Sequence, residues 1–95
     1  MKISEEKKNK IYEQIMAFLY SITPKSSFTS HIAKEIARDE EFTKSLLTDL
    51  QKKKIVVEIN KNQQGINYLK RSRWKLSDET YMAYKNLSNH NNSTH

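Results

Sequence analysis

The sequence of 95 residues contains no cysteine, one glycine and one proline. Without cysteine there are no disulfides, no thiolate metal sites and no cysteine nucleophile, and the chain suits a reducing compartment. With Gly65 as its sole glycine it has no phosphate-binding glycine loop and no Gly-x-Ser-x-Gly turn, and the zinc motif HExxH is missing as well. No apolar run approaches the roughly 18 residues of a membrane span. The opening residues Met1 to Glu6 carry no apolar stretch of the secretory kind. His90 and His95 fall in a polar C-terminal stretch, and His31 has no evident acidic partner by spacing. These absences lead to the expectation of a cytoplasmic non-enzyme with no membrane partner, no metal and no cofactor.

What is present is charge around a modest apolar complement. Hydrophobic residues make up 36% and charged residues 29%, enough for one core and too little for a second in a chain this short. Seventeen basic against eleven acidic residues give a net charge of +6. Residues 55–76 hold five cations and one anion, two-thirds of that excess. A basic stripe confined to one element is the usual footprint of a polyanionic partner, whereas evenly spread charge mainly serves solubility.

Periodicity divides the chain. Ser4 is placed to cap a helix over about residues 5–22, with Ile11, Ile15, Leu19 and Ile22 at three- and four-residue steps; it ends into Thr23-Pro24. Residues 23–28 read as a turn or very short strand that pins Phe28 into the core. Thr29 is placed to cap a second helix, Ser30 to about Ala37, with Ile32, Ala33, Ile36 and Ala37 inward. Asp39 is placed to cap a third, with Phe42, Leu46, Leu47 and Leu50 as its buried stripe and Lys52, Lys53 and Lys54 at its close.

The period then changes from helix to strand. Ile55, Val57 and Ile59 alternate with Val56, Glu58 and Asn60, a half-buried strand. A turn through Gly65 leads to a second strand, 66–76, with Ile66, Tyr68, Trp74 and Leu76 on one face and Asn67, Leu69, Arg71, Arg73 and Lys75 on the other. Ser77 caps a fourth helix that runs to about Leu87. The domain is therefore expected over residues 1–87, followed by a disordered polar tail over 88–95.

The stretch Thr29 to Leu76 resembles a winged helix-turn-helix unit. Ile32-Ala33-x-x-Ile36-Ala37 resembles the second helix of that family, and Phe42 to Leu50 resembles its recognition helix. Leu50-Gln51-Lys52-Lys53-Lys54-Ile55-Val56 is similar to the exit into the first wing strand. Trp74-Lys75-Leu76-Ser77-Asp78-Glu79 looks like the passage into a C-terminal helix in small MarR- and PadR-like regulators. The resemblance covers residues 5–87 and departs at Lys54, where the family usually has glycine. It implies a mainly α fold with a small β-hairpin, in the order three helices, wing, fourth helix. It also implies a sequence-specific double-stranded DNA-binding protein that regulates transcription.

In such a fold the second helix of the motif enters the major groove. Thr43, Lys44, Ser45 and Thr48, with Lys52, lie off the main apolar stripe of the third helix and are assigned toward the groove as hydroxyl and ammonium contacts. Arg71, Arg73 and Lys75 alternate along one strand and so share a face, with Lys61 and Lys70 nearer the wing tip. This comb suits phosphates or a narrow minor groove, or else protects an edge strand from pairing with another copy. Lys25, His31, Lys34 and Arg38 are candidates for backbone contacts around the second helix. Asp39, Glu40 and Glu41 oppose phosphate at the third helix's tip, and they leave open a protein-docking module as an alternative. Charge alone does not separate DNA from structured RNA. Trp74 is assigned to the core. The apolar surplus of the terminal helices, including Phe18, Tyr20, Tyr81, Met82 and Tyr84, points to a homodimer through them or to packing within one chain.

Overall fold

The computed structural model describes residues 4–59 and 72–93. Its elements are α1 (Glu5–Ile22), β1 (Ser27–Phe28), α2 (Thr29–Glu35), α3 (Glu40–Lys52), β2 (Val56–Ile59), β3 (Arg73–Leu76) and α4 (Asp78–Ser93). The expected order of helices and wing is present, with β1 added as a strand of the sheet.

Capping follows the sequence at three of the four helix starts. Ser4 accepts from the Lys7 amide at 3.3 Å, Asp39 from the Phe42 amide at 2.6 Å, and Ser77 from the Thr80 amide at 3.2 Å. The exception is α2. Phe28 occupies its N-cap position with no side-chain cap bond, and Thr29, expected to be the cap, lies one residue inside. Its hydroxyl instead accepts from the Trp74 indole.

Both α2 and α3 end by turning into the left-handed region at a residue other than glycine. At Lys54 φ is 63°, and at Ala37 it is 58°. In each case two amides close back on the last turn: Ile55 to Leu50 at 2.9 Å and Lys54 to Gln51 at 2.9 Å, Arg38 to Ala33 at 3.0 Å and Ala37 to Lys34 at 3.2 Å. This is the paired bonding of a Schellman ending. At Lys54, where the resembling family usually has glycine, the ending is kept with a left-handed lysine. The same ending stops α2 short of Ala37, which is exposed and not part of the inner face.

The three strands form an antiparallel sheet in the order β1-β3-β2. Trp74 pairs with Ser27 and Glu58, and Leu76 with Val56. Their shared face meets a core of Ile11, Ile15, Leu19, Ile32, Leu46, Leu47 and Leu50, among others. Each such aliphatic side chain stabilises the fold by roughly 1.5–3 kcal/mol through burial.

Register settles the parity of β2 and corrects one expectation. Val56 is the buried residue of β2, and Val57, assigned to the opposite set, is exposed. Phe28 is not pinned in the core. Pairing with Arg73 turns it to the outer face, where it is 39% exposed. At the C-terminal end, α4 continues to Ser93, six residues past the expected stop at Leu87, so the stretch read as a disordered tail from Ser88 is helical in backbone through Ser93.

Candidate nucleic-acid interface

The helix-turn-helix is made by α2 and α3, which pack against each other and contribute Ile32, Leu46 and Leu47, with Ile36 at the C-cap of α2, to the common core. The inward row of α3 is Thr43, Leu46, Leu47 and Leu50. Thr43, assigned to the groove from sequence, has no exposed surface. Its hydroxyl donates to the Asp39 carbonyl at 2.8 Å, and Phe42 is only half-buried beside the core. The leucines of the expected stripe are buried as read, and Thr43 takes the place expected of Phe42 at its start. A threonine fits inside a helix because its hydroxyl can bond the carbonyl one turn back.

The outward row contains Glu41, Lys44, Ser45 and the half-exposed Thr48, with Lys52 at its far end. Ser45 Oγ donates to the Phe42 carbonyl at 2.7 Å, and Thr48 Oγ1 to the Lys44 carbonyl at 2.8 Å. With their protons engaged, both hydroxyls present lone pairs outward. They are then acceptors, suited to the amino groups of adenine or cytosine on a groove edge. Lys44 adds an exposed ammonium at the edge of the same face. Lys52 borders a groove shared with Lys8, Tyr12 and Asp49, beside the first turns of α1.

At the N-terminal tip Asp39, Glu40 and Glu41 are all exposed. The Asp39 carboxylate holds the Phe42 amide, so the helix end that elsewhere attracts anions is occupied by the chain's own cap. Lys25, His31, Lys34 and Arg38 are exposed around α2. His31 does have an acidic neighbour at helical spacing, which the sequence reading missed: its Nε2 lies 3.9 Å from Glu35 Oε1, four residues on. The imidazole also stacks against Phe18, with ring centroids 5.6 Å apart.

Arg73 and Lys75 lie on the outer face of β3, opposite the buried Trp74 and Leu76. Arg73 is paired on both sides, with Phe28 and Ile59, so edge protection does not account for it. The sheet adjoins the helix that carries Lys44 and Ser45, since β2 packs directly against α3. Lys61, Lys70 and Arg71, the rest of the expected comb, lie outside the described residues. Among the described residues no three His, Cys, Asp or Glu side chains are grouped to hold a metal ion, and no helix is long and apolar enough to cross a membrane.

Three helices, a strand addition, a two-strand wing and a fourth helix, with the second and third helices packed as a motif, decide the architecture. The fold is a winged helix-turn-helix. Comparison with solved structures agrees. ZitR of Lactococcus lactis, a double mutant in apo form, superposes with a TM-score of 0.60 at 15% identity, covering 94% of this chain and 64% of that one. A MepR mutant from a multidrug-resistant S. aureus clinical isolate gives 0.58 at 20% identity over 80% of this chain and 59% of that one. Another S. aureus MepR mutant, bound to an oligodeoxyribonucleotide, gives 0.57 at 17% identity over 95% and 73%. The winged helix-turn-helix here thus spans about 64% of the ZitR chain and 59% of the first MepR chain. No family model matches the sequence, and no curated protein does.

Proposed function

We propose that this protein binds double-stranded DNA through the outward row of α3 and acts as a transcriptional regulator. The observation that carries this reading is the row Lys44, Ser45 and Thr48, an ammonium beside two hydroxyl acceptors on one face of the helix that a winged helix-turn-helix lays in the major groove. The fold it shares with a MepR structure bound to an oligodeoxyribonucleotide supports it, as do the cations Lys61, Lys70 and Arg71 of the sequence between the two wing strands. In this assignment Lys25, Lys34 and Arg38, with His31 when protonated, reach phosphates beside the groove. Lys61, Lys70 and Arg71 of the wing lie on the backbone or minor groove. Glu41 is the acidic group at the leading edge of the row, suited to cytosine N4.

The protein acts as a dimer through α1 and α4. Tyr20 stacks on Tyr81 and Tyr84 at centroid separations of 5.4 and 4.6 Å, which joins the two helices into one aromatic surface. Beside it Met82 and Leu87 are 50% and 62% exposed. A two-fold pair of α3 helices reads two half-sites one or more helical turns apart. In the cell it works in the cytoplasm, without a cofactor and without catalysing a reaction.

Selection of bound sequences from a random duplex pool tests the reading. Enrichment of a palindromic site is the expected result. An unenriched pool, or retention of single strands alone, contradicts it.

A further inference from the structure

The outer face of the sheet has a composition that the DNA reading does not use. The register places Phe28, Arg73 and Ile59 in one row across all three strands, and Lys75 opposite Val57 in the next. Phe28 is 39% and Val57 38% exposed, while Val56, the neighbour of Val57 on the other face, is 1% exposed. Each row therefore sets a cation beside apolar side chains. Glu58, the acidic residue of β2, belongs to the opposite parity and accepts a hydrogen bond from the Ser72 hydroxyl. Among the described strand residues this face carries positive charge and no negative charge.

We propose that this face docks an acidic amphipathic segment of a protein partner, with the segment's apolar side chains on Phe28, Val57 and Ile59 and its carboxylates on Arg73 and Lys75. Three observations favour this occupant over a nucleic acid. Phosphates need no aliphatic neighbours, whereas an amphipathic segment needs both chemistries at alternating positions. The aromatic ring of the patch is already covered on one side, since the Arg73 guanidinium carbon lies 5.7 Å from the Phe28 centroid, a poor platform for stacking an unpaired base. Exposed apolar side chains grouped on one face mark interaction sites more often than isolated ones do.

The test is fluorescence anisotropy of the full chain with two probes: a labelled helical peptide of Asp, Glu and Leu, with leucines at i, i+3, i+4 and i+7, and a labelled duplex. A scrambled peptide of the same composition serves as control. The expected result is saturable binding of the patterned peptide and not of the scrambled one. The double variant Arg73→Gln with Lys75→Gln should weaken the peptide about tenfold, and Val57→Thr, which keeps β-branching, should weaken it as well. Both variants should melt like the parent by Trp74 fluorescence and hold the duplex as the parent does. Lys44→Ala should do the reverse, weakening the duplex and sparing the peptide. Absence of saturable peptide binding overturns the proposal, as does peptide affinity unchanged in the Arg73 and Lys75 variant. Loss of duplex affinity in that variant with the peptide untouched would instead assign the face to nucleic acid.

Discussion

The Trp74 indole N–H donates to the Thr29 hydroxyl at 2.8 Å, a buried hydrogen bond between residues 45 apart in sequence. It ties the central strand of the wing to the first turn of α2. It also explains why Thr29 does not cap that helix. Thr29→Val keeps the shape and leaves a buried N–H without its acceptor, a loss of about 1–3 kcal/mol. Thr29→Ser keeps the acceptor and should cost less than Thr29→Val. Urea denaturation followed by the fluorescence of Trp74, the single tryptophan, measures both. Equal stability of the valine variant and the parent would refute the role assigned to this bond.

The left-handed residues Ala37 and Lys54 hold a conformation that disfavours a side chain. Ala37→Gly and Lys54→Gly should each raise unfolding stability by about 1 kcal/mol, because relief of the Cβ contact outweighs glycine's added freedom in the unfolded chain. A control glycine inside α3, at Gln51, should lower it by a similar amount. Chemical denaturation separates the two directions.

Tyr12 carries a pH signature. Burial, the largest influence, pushes its phenol above the ordinary value of 10.0, with Lys8 opposing and Asp49 reinforcing the shift. The hydroxyl donates to Asp49 Oδ2 at 3.3 Å, a bond that only the protonated phenol makes. The folded state therefore holds this proton more tightly than the unfolded one. The resulting stability is present below pH 10 and is lost as pH rises past it. The stability difference between parent and Tyr12→Phe, measured across that range, should shrink on the alkaline side. A difference that widens there has the wrong sign for this account.

The fold was largely legible from sequence, and the site less so, for a physical reason that Thr43 illustrates. Periodicity identified α3, its Asp39 cap and the leucines of its inner face. It could not tell which of the neighbours Phe42 and Thr43 completes the buried row, because hydrophobicity favours the first and the second hides its polarity by bonding the Asp39 carbonyl. The strand parity around Val56 and Val57 was similarly ambiguous, both being valine, and only pairing with Leu76 and Lys75 resolves it. The strand β1 is two residues long, too short for any alternation to show. His31 and Glu35 were within reach of sequence reasoning, since four-residue spacing on a helix is a sufficient signal.

The same distinction separates two variants. Thr43→Val should change stability and leave duplex affinity as it is, because the side chain never reaches the surface. Lys44→Ala should leave stability within about 0.5 kcal/mol and weaken the duplex. Paired melting and gel-shift measurements check this. Lost duplex affinity in a stably folded Thr43 variant would mean that α3 presents a different row.

The central claim is that α3 holds a duplex by its outward row, and the salt dependence of duplex affinity tests it most directly. For the parent, the logarithm of affinity should fall linearly with the logarithm of salt concentration, with a slope set by the number of phosphates neutralised. Lys34→Ala should reduce that slope by about one, and Lys44→Ala should lower affinity more for the selected site than for random duplex. A slope near zero, or a Lys44 variant that binds every duplex as the parent does, contradicts the account.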